Sequence, residues 1–264
     1  MKTVLITGAS SGIGYELAKI YAGNSYNLVL AARGSEKLEK LKNIILENIN
    51  PDLLIETVCI DLSKENSAYD LSDILERKNI EIDFLVNNAG IGIYGEFAEY
   101  SHEEMERNNK MINLNIKTLV ELTKIFLDKM LEKGSGGVLN VASVAAFQPG
   151  PLMATYYASK AFVLSFSEAL REELRNTGVY ISVLCPGPTE TEFEKCSNLT
   201  EAGLFSRMKV MSAEKVAEIG YRDFMRKKRI IIPGFINKLA VIGSKFFPRK
   251  ITIKVVKKIQ ERKK

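Results

Sequence analysis

Strand-like and helix-like patterns alternate along most of the 264 residues, and this alternation limits the folds open to the chain more than any other feature. Six short apolar runs predict buried strands: Thr3–Thr7, Asn27–Ala32, Leu54–Ile60, Phe84–Asn87, Gly137–Ala142 and Tyr180–Cys185. Segments with apolar residues at helical spacing lie between or after them: Gly12–Tyr21, Glu36–Ile49, Tyr69–Glu76, His102–Leu131 and Tyr156–Asn176. We therefore expect an α/β fold, with a single doubly wound parallel sheet, helices on both faces and a basic helical C-terminal extension.

A glycine-rich stretch, TGASSGIG, ends the first predicted strand and opens the next helix. In doubly wound sheets, ligands bind at the carboxyl ends of the strands, where the strand order reverses. Glycines at such a junction permit a tight turn and let a pyrophosphate approach the free N–H groups of the helix. The spacing is GxxxGxG rather than GxGxxG, and a turn that merely connects strand to helix is the alternative. We predict a dinucleotide site that includes Gly8, Ser10, Ser11, Gly12, Ile13 and Gly14.

The end of the second predicted strand indicates which dinucleotide binds. An acidic side chain at this point accepts hydrogen bonds from the adenosine ribose in NAD-binding sheets, whereas an arginine accommodates the 2′-phosphate of NADP. Here Ala32 occupies the expected acidic position and Arg33 follows it. We predict NADP(H) as the cofactor, with a solvated Arg33 at the start of a loop as the alternative.

Two turns after the third and fourth predicted strands complete the expected cofactor site. Asp61 and Leu62 follow the third strand and are positioned to meet the adenine ring. The small-residue turn NNAG, Asn87–Gly90, follows the fourth strand and is able to lie beside a cofactor. Asn87 is equally suited to bonding only the backbone. The predicted cofactor contacts of this turn are Asn88, Ala89 and Gly90.

The stretch TYYASK places a lysine four residues after a tyrosine in the last predicted helix. This spacing puts Tyr156 and Lys160 on one helix face, where an ammonium lowers the pKa of a phenol and suits it to proton transfer near neutral pH. Ser143 ends the fifth predicted strand, and Asn115 interrupts an otherwise regular helix. A chance surface pair, a loop serine and an exposed asparagine are the alternatives.

Together with the later PGPTET, these motifs resemble the short-chain dehydrogenase/reductase family, in order and at its intervals, over residues 1–225. The resemblance implies a Rossmann-like fold and an NADP(H)-dependent oxidoreductase that interconverts a carbonyl and a secondary alcohol. Tyr156 is then the general acid or base, and Lys160 bonds the nicotinamide ribose and lowers the pKa of the tyrosine. Ser143 holds the substrate oxygen, and Asn115 holds a water in a proton relay. The residues expected to border the nicotinamide are Pro186, Gly187, Thr189 and Thr191.

The LAAR strand ending and the basic tail resemble a subgroup of bacterial reductases of uncertain substrate and long-chain 3-oxoacyl and hydroxysteroid reductases. The implied substrate pocket follows the fourth and fifth strands and PGPTET. Its candidate residues are mostly apolar and contain no arginine cluster, so we expect an apolar or amphipathic carbonyl substrate. They are Ile91, Ile93, Tyr94, Ala145, Phe147, Met153, Phe193 and Leu204. Ordinary core packing is the alternative interpretation of these residues.

The chain after residue 225 differs in charge from the rest, and we treat 1–225 as the catalytic domain and 226–264 as a C-terminal extension. Residues 226–264 contain 14 lysines and arginines and one acid, so they carry +13, whereas residues 1–225 carry −8. Apolar residues recur at helical spacing in 235–247 and 251–259. Basic amphipathic helices bind anionic membrane surfaces, and packing on the acidic body or on another subunit is the alternative. Aromatic residues are sparse in the tail, so we expect no nucleic-acid partner.

Compartment, metal content and assembly are predicted from weaker signals. The start lacks the pattern of a signal peptide and no run approaches the length of a membrane span, so we expect a cytoplasmic protein, peripheral at the inner membrane surface if the tail binds lipid. The three widely spaced cysteines suggest neither a disulfide framework nor a metal site, and Cys59 and Cys185 are expected in the core. The family resemblance implies a homo-oligomer, dimer or tetramer, and Tyr157 is expected to pack or to face a partner subunit.

Two functions of other classes stay open beside the enzyme. One is a regulatory protein that binds NADP(H) without turnover, and the other is a membrane-surface protein whose tail carries the main function. The set of Ser143, Tyr156, Lys160 and Asn115 argues against the regulatory protein, because a protein that only binds the dinucleotide does not require the tyrosine and serine hydroxyls. If the tail carries the main function, deletion of residues 226–264 should abolish that function and spare reductase activity.

Overall fold

A parallel sheet of seven strands lies at the centre of the computed structural model, which describes residues 1–193 and 210–261. Six strands match the predicted runs to within one residue at each end: β1 (Thr3–Thr7), β2 (Asn27–Ala32), β3 (Ile55–Cys59), β4 (Phe84–Asn87), β5 (Gly136–Val141) and β6 (Val179–Leu184). Strands β7 (Thr189–Glu190) and β8 (Met211–Ser212) pair with each other, and β9 (Ile230–Ile231) is the seventh strand of the main sheet. The order across this sheet is β3-β2-β1-β4-β5-β6-β9, which reverses between β1 and β4. The predicted fold class is confirmed.

Helices cover both faces of the sheet, because successive residues of each strand point to opposite sides. Ile6 of β1 packs with the cluster that contains Leu17 and Phe224, whereas its neighbour Leu5 packs with the cluster that contains Leu71 and Phe126. The helices are α1 (Gly12–Gly23), α2 (Ser35–Asn48), α3 (Ser67–Arg77), α4 (His102–Ile112), α5 (Leu119–Lys133), α6 (Ala154–Glu173), α7 (Ala213–Met225), α8 (Phe235–Phe246) and α9 (Arg249–Gln260).

A π-helical turn, Asn113–Thr118, separates α4 from α5 where the sequence predicts one continuous helix. Such turns are rare and are frequently found at functional sites. This turn contains Asn115, whose side chain is buried.

The tail extends the fold of the preceding residues. The predicted boundary between residues 225 and 226 does not coincide with an edge of the fold, because β9 pairs with β6 and completes the main sheet. Beyond β9, α8 and α9 lie over the carboxyl ends of the strands, where Val241 and Val256 are buried. One face of α8 and α9 therefore packs on the preceding residues, as in the alternative to membrane binding given above for the C-terminal extension.

Two expectations about the cysteines have different outcomes. Cys185 is buried as predicted, but the prediction of a core position for Cys59 is wrong, because this thiol is exposed at the end of β3. Its Sγ donates to the carbonyl oxygen of Arg33 at 3.3 Å. Cys196 lies outside the described residues.

None of the helices in the described part of the chain combines the length and the apolar character needed to cross a membrane.

Candidate active site

A cavity of about 630 Å³ runs along the carboxyl ends of the strands, across the point where the strand order reverses. The sequence-predicted residues that line it are Gly8, Ser10, Ser11, Gly12, Ile13, Arg33, Asp61, Leu62, Asn88, Ala89, Gly90, Ser143, Tyr156, Lys160, Pro186, Gly187, Thr189 and Thr191. Gly14 and Asn115 do not line it. Motifs that are far apart in the sequence therefore meet in one space, as the strand-end argument predicts.

The turn after β1 forms a backbone cradle with no space for side chains. Gly8 has a φ of +66°, and a Cβ at Gly14 would lie 2.5 Å from both the Gly8 carbonyl oxygen and Asn88 Nδ2. The Asn88 amide donates to the carbonyl oxygens of Thr7 at 2.9 Å and Gly8 at 3.2 Å. Gly14 thus lets α1 approach the turn, and the first residues of α1, whose N–H groups have no partner within the helix, line the cavity. This cradle fits a dinucleotide pyrophosphate, which binds to such a helix start.

The end of β2 carries positive charge beside the cavity. Arg33 is exposed there, and Lys37 of α2 bonds Glu192 at 2.7 and 2.8 Å. Asp61 accepts hydrogen bonds from Ser63 N at 3.0 Å and Ser63 Oγ at 2.7 Å. Partial burial acts to raise the pKa of Asp61, but the hydrogen bonds from Ser63 and the nearby charges of Arg33 and Lys64 together lower it. The Lys37–Glu192 pair was not predicted, because it joins elements far apart in the chain.

The first asparagine of NNAG serves the interior rather than the cavity. Asn87 is buried, and its Nδ2 donates to Thr123 Oγ1 at 3.0 Å and Asn140 Oδ1 at 2.9 Å. Asn140 in turn donates to Ser167 Oγ at 2.9 Å. This chain of bonds ties β4, β5, α5 and α6 together behind the site.

Two hydroxyls and an amine meet where β5 is followed by α6. Ser143 Oγ accepts from Ala145 N at 3.1 Å, donates to Pro186 O at 3.4 Å and is hydrogen-bonded to the Tyr156 phenol. Lys160 Nζ donates to Val141 O at 3.0 Å and lies 5.8 Å from the centre of the Tyr156 ring. Ser143, in the loop after β5, is therefore held by hydrogen bonds to its neighbours. Tyr156 and Lys160 lie on the same face of α6, as their spacing predicts.

Burial is the main cause of the shifted pKa values of Tyr156 and Lys160. It raises the pKa of the Tyr156 phenol, although the hydrogen bond with Ser143 opposes the rise. It lowers the pKa of Lys160 to about 8, because a buried amine disfavours its charged form. The expectation that Lys160 lowers the pKa of the tyrosine is not met in this arrangement, where the two side chains are in ring-to-ammonium contact and Lys160 Nζ bonds a backbone carbonyl.

Asn115 is placed beside the amine rather than in the cavity. Its Nδ2 donates to Ile91 O at 2.9 Å and to Ser159 Oγ at 3.2 Å, and its Oδ1 accepts from Ile91 N at 3.1 Å. A Cβ at Gly90 would lie 3.2 Å from Asn115 Oδ1 and 3.4 Å from Lys160 Nζ, so both polar groups converge on Gly90. The predicted role of holding a water is not tested by these contacts.

The expected substrate wall is reproduced in part. Ile91, Ala145, Met153 and Phe193 line the cavity, and the Phe193 ring lies 5.5 Å from the Tyr156 ring. Ile93 is buried outside the cavity lining, Tyr94 and Phe147 also lie outside it, and Leu204 is not among the described residues. The remaining wall was missed by sequence reasoning because it comes from the tail: Asn237, Ala240, Val241, Val256, Ile259 and Gln260.

The fold and the site define a class of protein. A parallel sheet with a glycine cradle at its switch point binds a nicotinamide dinucleotide, and the Ser143, Tyr156 and Lys160 group lies in the same cavity. This class comprises the dinucleotide-dependent oxidoreductases.

Comparison with known proteins narrows the class. Residues 2–202 match the short chain dehydrogenase family. A ketoacyl reductase from Nostoc sp. is 36% identical over 188 residues, which are 70% of this chain and 63% of that protein. Sulfoacetaldehyde reductase 2 from Chromohalobacter salexigens is 34% identical over 221 residues, which are 82% of this chain and 85% of that protein. A short-chain dehydrogenase from Sphingobium yanoikuyae, solved in complex with NADPH, has a TM-score of 0.81 at 29% identity and covers 93% of this chain and 94% of its own.

The chain belongs to the short-chain dehydrogenase family. It spans less than two thirds of the length of the Nostoc relative.

Proposed function

We propose that this protein is an NADP(H)-dependent reductase of an apolar or amphipathic ketone or aldehyde. The observation that carries the proposal is the contact of Tyr156 with Ser143 on one side and with the apolar ring of Phe193 on the other. A carbonyl oxygen that accepts hydrogen bonds from the two hydroxyls has its substituents directed at an apolar wall.

The proposed mechanism assigns a role to each of four polar side chains, two of which transfer protons. The nicotinamide supplies the hydride when bound. Ser143, positioned by the bond that its Oγ accepts from Ala145 N, turns its hydroxyl proton from Pro186 O to the substrate oxygen and stabilises the charge that develops there. Tyr156 gives its proton to that oxygen, and its raised pKa keeps the phenol protonated and ready to donate. Lys160 restores the proton, and Asn115 positions the Gly90–Ile91 backbone beside it.

Oxidation of NADPH by the purified protein, against a panel of aldehydes, ketones, 3-oxoacyl thioesters and steroids, tests the proposal. Turnover that increases with the apolar surface of the carbonyl compound is expected. Tight NADPH binding without turnover of any compound would instead favour the regulatory protein that binds NADP(H) as a signal.

Arg33 supports the choice of NADP(H). Its guanidinium is exposed beside the cavity, the residue before it is Ala32 rather than an acid, and the Sphingobium relative was solved with NADPH. Replacement of Arg33 by alanine removes the charged donor for the 2′-phosphate, so the affinity for NADPH is expected to fall about 10- to 100-fold. The Kd for NADH should stay near that of the unaltered protein. Fluorescence titration with both cofactors measures this, and equal losses for the two would contradict the assignment.

The apolar substrate class is argued from the cavity, since the two named relatives act on chemically different compounds. Met153, Phe193 and Val256 surround Tyr156. The cations Arg33 and Lys37 border the end of β2, which two strands separate from β5, so they lie roughly 15 Å away at the usual strand spacing. Among the described lining residues, a sulfonate or phosphate beside the carbonyl would have no cationic partner other than Lys160.

We also propose that the protein forms homo-oligomers through α6. Phe162 is exposed on this helix and stacks on Phe166 with ring centres 5.8 Å apart. An exposed phenylalanine stacked on a half-buried one of the same active-site helix suits burial against a second subunit.

The outer face of α8 and α9 supports peripheral contact with an anionic membrane. While Val241 and Val256 point inwards, the outward apolar side chains are at least half exposed, and Phe246 reaches 83%. Exposed Lys238, Lys250 and Lys254 lie in the same helices. The residues of this outer face are Phe235, Ile236, Leu239, Ile242, Phe246, Phe247, Ile251 and Val255.

Replacement of Ile242 and Phe246 by serine is expected to reduce binding to phosphatidylserine-containing vesicles at least about tenfold, because each buried apolar side chain contributes about 1.5–3 kcal/mol. Co-sedimentation at low salt measures the bound fraction. Leu54→Ser is the control, since the exposure of Leu54 lies between those of Ile242 and Phe246 but Leu54 precedes β3 at the opposite edge of the sheet. Unaltered protein that stays in the supernatant with anionic vesicles would refute the contact.

A further inference from the structure

The end of α9 forms a wall of the candidate active site. Val256 packs with Ala145, Met153 and Tyr157, and Gln260, one turn further along, borders the cavity and is 1% exposed. The Tyr94 hydroxyl donates to the Gln260 carbonyl oxygen at 2.9 Å and so fixes the helix end. Residues near the C-terminus thus lie beside the residue that follows Tyr156.

The Gln260 side chain has too few partners for its burial. Its Nε2 is hydrogen-bonded to the Tyr157 hydroxyl, while its Oε1 is buried with no partner among the described residues. A hydroxyl donates or accepts, so turning the amide over would leave the nitrogen unpartnered instead. Buried polar groups in folded proteins are nearly always hydrogen-bonded, and an exception beside a ligand cavity indicates a partner that arrives with the ligand.

The side-chain amide of Gln260 is connected to the catalytic Tyr156 through Tyr157. The Tyr157 ring, whose hydroxyl bonds Gln260, stands edge-on to the Tyr156 ring with centres 6.1 Å apart. The intervening surface is the apolar cluster of Ala145, Met153 and Val256. A ligand that reaches both Tyr156 and Gln260 therefore has a carbonyl, an apolar stretch and then a polar group.

We propose that Gln260 binds a hydroxyl or amide group that the substrate carries at a distance from its carbonyl. A hydroxyl or an amide N–H donates to Oε1, and both groups also accept from an amide nitrogen, so they fit either orientation of the side chain. A carboxylate or phosphate does not fit, because no cationic side chain borders this part of the described cavity. The inference rests on the proposed function and narrows its substrate class to apolar carbonyl compounds with one remote polar group.

The test uses a homologous series of 2-alkanones and the same ketones with a terminal hydroxyl. The unaltered protein is expected to favour the best hydroxyketone over its parent ketone by about 10- to 100-fold in kcat/KM, the range for a buried polar group that gains its partner. Gln260→Met, similar in shape but without the amide, should remove this preference, so that the hydroxyketone and its parent ketone have similar kcat/KM values. Equal preference in both proteins would overturn the proposal.

Tyr94→Phe separates the amide from the helix position. It removes the bond to the Gln260 carbonyl oxygen but keeps the amide, so the preference for the hydroxyketone should persist. If Tyr94→Phe loses it as fully as Gln260→Met, the packing of α9 and not the amide is responsible.

Equilibrium binding of both ketone series to the Tyr156→Phe protein with NADPH gives a readout that needs no turnover. If this protein binds the hydroxyketone more tightly than its parent ketone but the unaltered protein turns over neither, the reductase proposal is refuted and the Gln260 site stands. If the unaltered protein turns over parent ketones and neither readout shows a preference for the hydroxyketone, the Gln260 site is refuted and the reductase stands.

Discussion

Replacement of Tyr156 by phenylalanine is expected to lower kcat for carbonyl reduction by about 10²- to 10⁴-fold, the contribution of a positioned general acid. Only the hydroxyl is lost, so the ring contacts with Phe193 and Tyr157 remain and the fold should be unchanged. NADPH affinity should stay close to that of the unaltered protein, because the glycine cradle and Arg33 are untouched. Single-turnover oxidation of bound NADPH, followed at 340 nm, measures the chemical step directly.

Tyr157→Phe is the matched control for this substitution. It removes a hydroxyl from the adjacent residue of the same helix, but that hydroxyl bonds Gln260 rather than Ser143. Its effect on kcat should be at least about tenfold smaller than that of Tyr156→Phe. Similar losses in the two proteins would show that disturbance of α6, and not a proton donor, explains the result.

Replacement of Lys160 by methionine is expected to remove nearly all turnover and to change how stability depends on pH. Burial gives this lysine a pKa of about 8 in the folded protein, below its usual value near 10.4. The folded state therefore disfavours the ammonium, and below pH 8 this reduces the free energy of unfolding by up to about 3 kcal/mol. Stability of the cofactor-free protein should recover as the pH rises from 8 towards 10.

The comparison of two pH series isolates this lysine. Urea unfolding of the unaltered protein and of Lys160→Met between pH 7 and 9.5 gives the difference in unfolding free energy at each pH. Buried tyrosines with raised pKa values lower stability at high pH, but they are common to both proteins and cancel. The advantage of Lys160→Met should shrink with rising pH, and a constant difference would contradict the lowered pKa.

The sequence predicted the sheet and the cofactor half of the site because both depend on short stretches. Strands such as β1 are buried on both faces and therefore appear in the sequence as continuous apolar runs. The conformation of the turn at residues 8–14 depends on its glycines, which are visible in the sequence. The pairing of Tyr156 with Lys160 follows from helical spacing alone. These features need no knowledge of distant contacts.

The substrate half was less predictable because distant contacts determine it. Strand β9 has two residues and leaves too weak a pattern to detect, and it becomes a strand by pairing with β6. The spacing of apolar residues in α9 predicts which face of the helix is buried, but it does not show which part of the protein that face contacts. Gln260 could therefore not be assigned to the active site from the sequence. The ionisation of Tyr156 and Lys160 depends on desolvation, which the chain order does not reveal.

The return of α9 to the site has a consequence for biosynthesis. The glycine cradle precedes the wall that contains Val256 and Gln260 along the chain, so the ribosome synthesises the cradle well before that wall. The two halves of one cavity are therefore completed at different stages of translation. A chain that is released early or clipped before α8 keeps the glycine cradle and Tyr156 but leaves that side of the cavity without its wall.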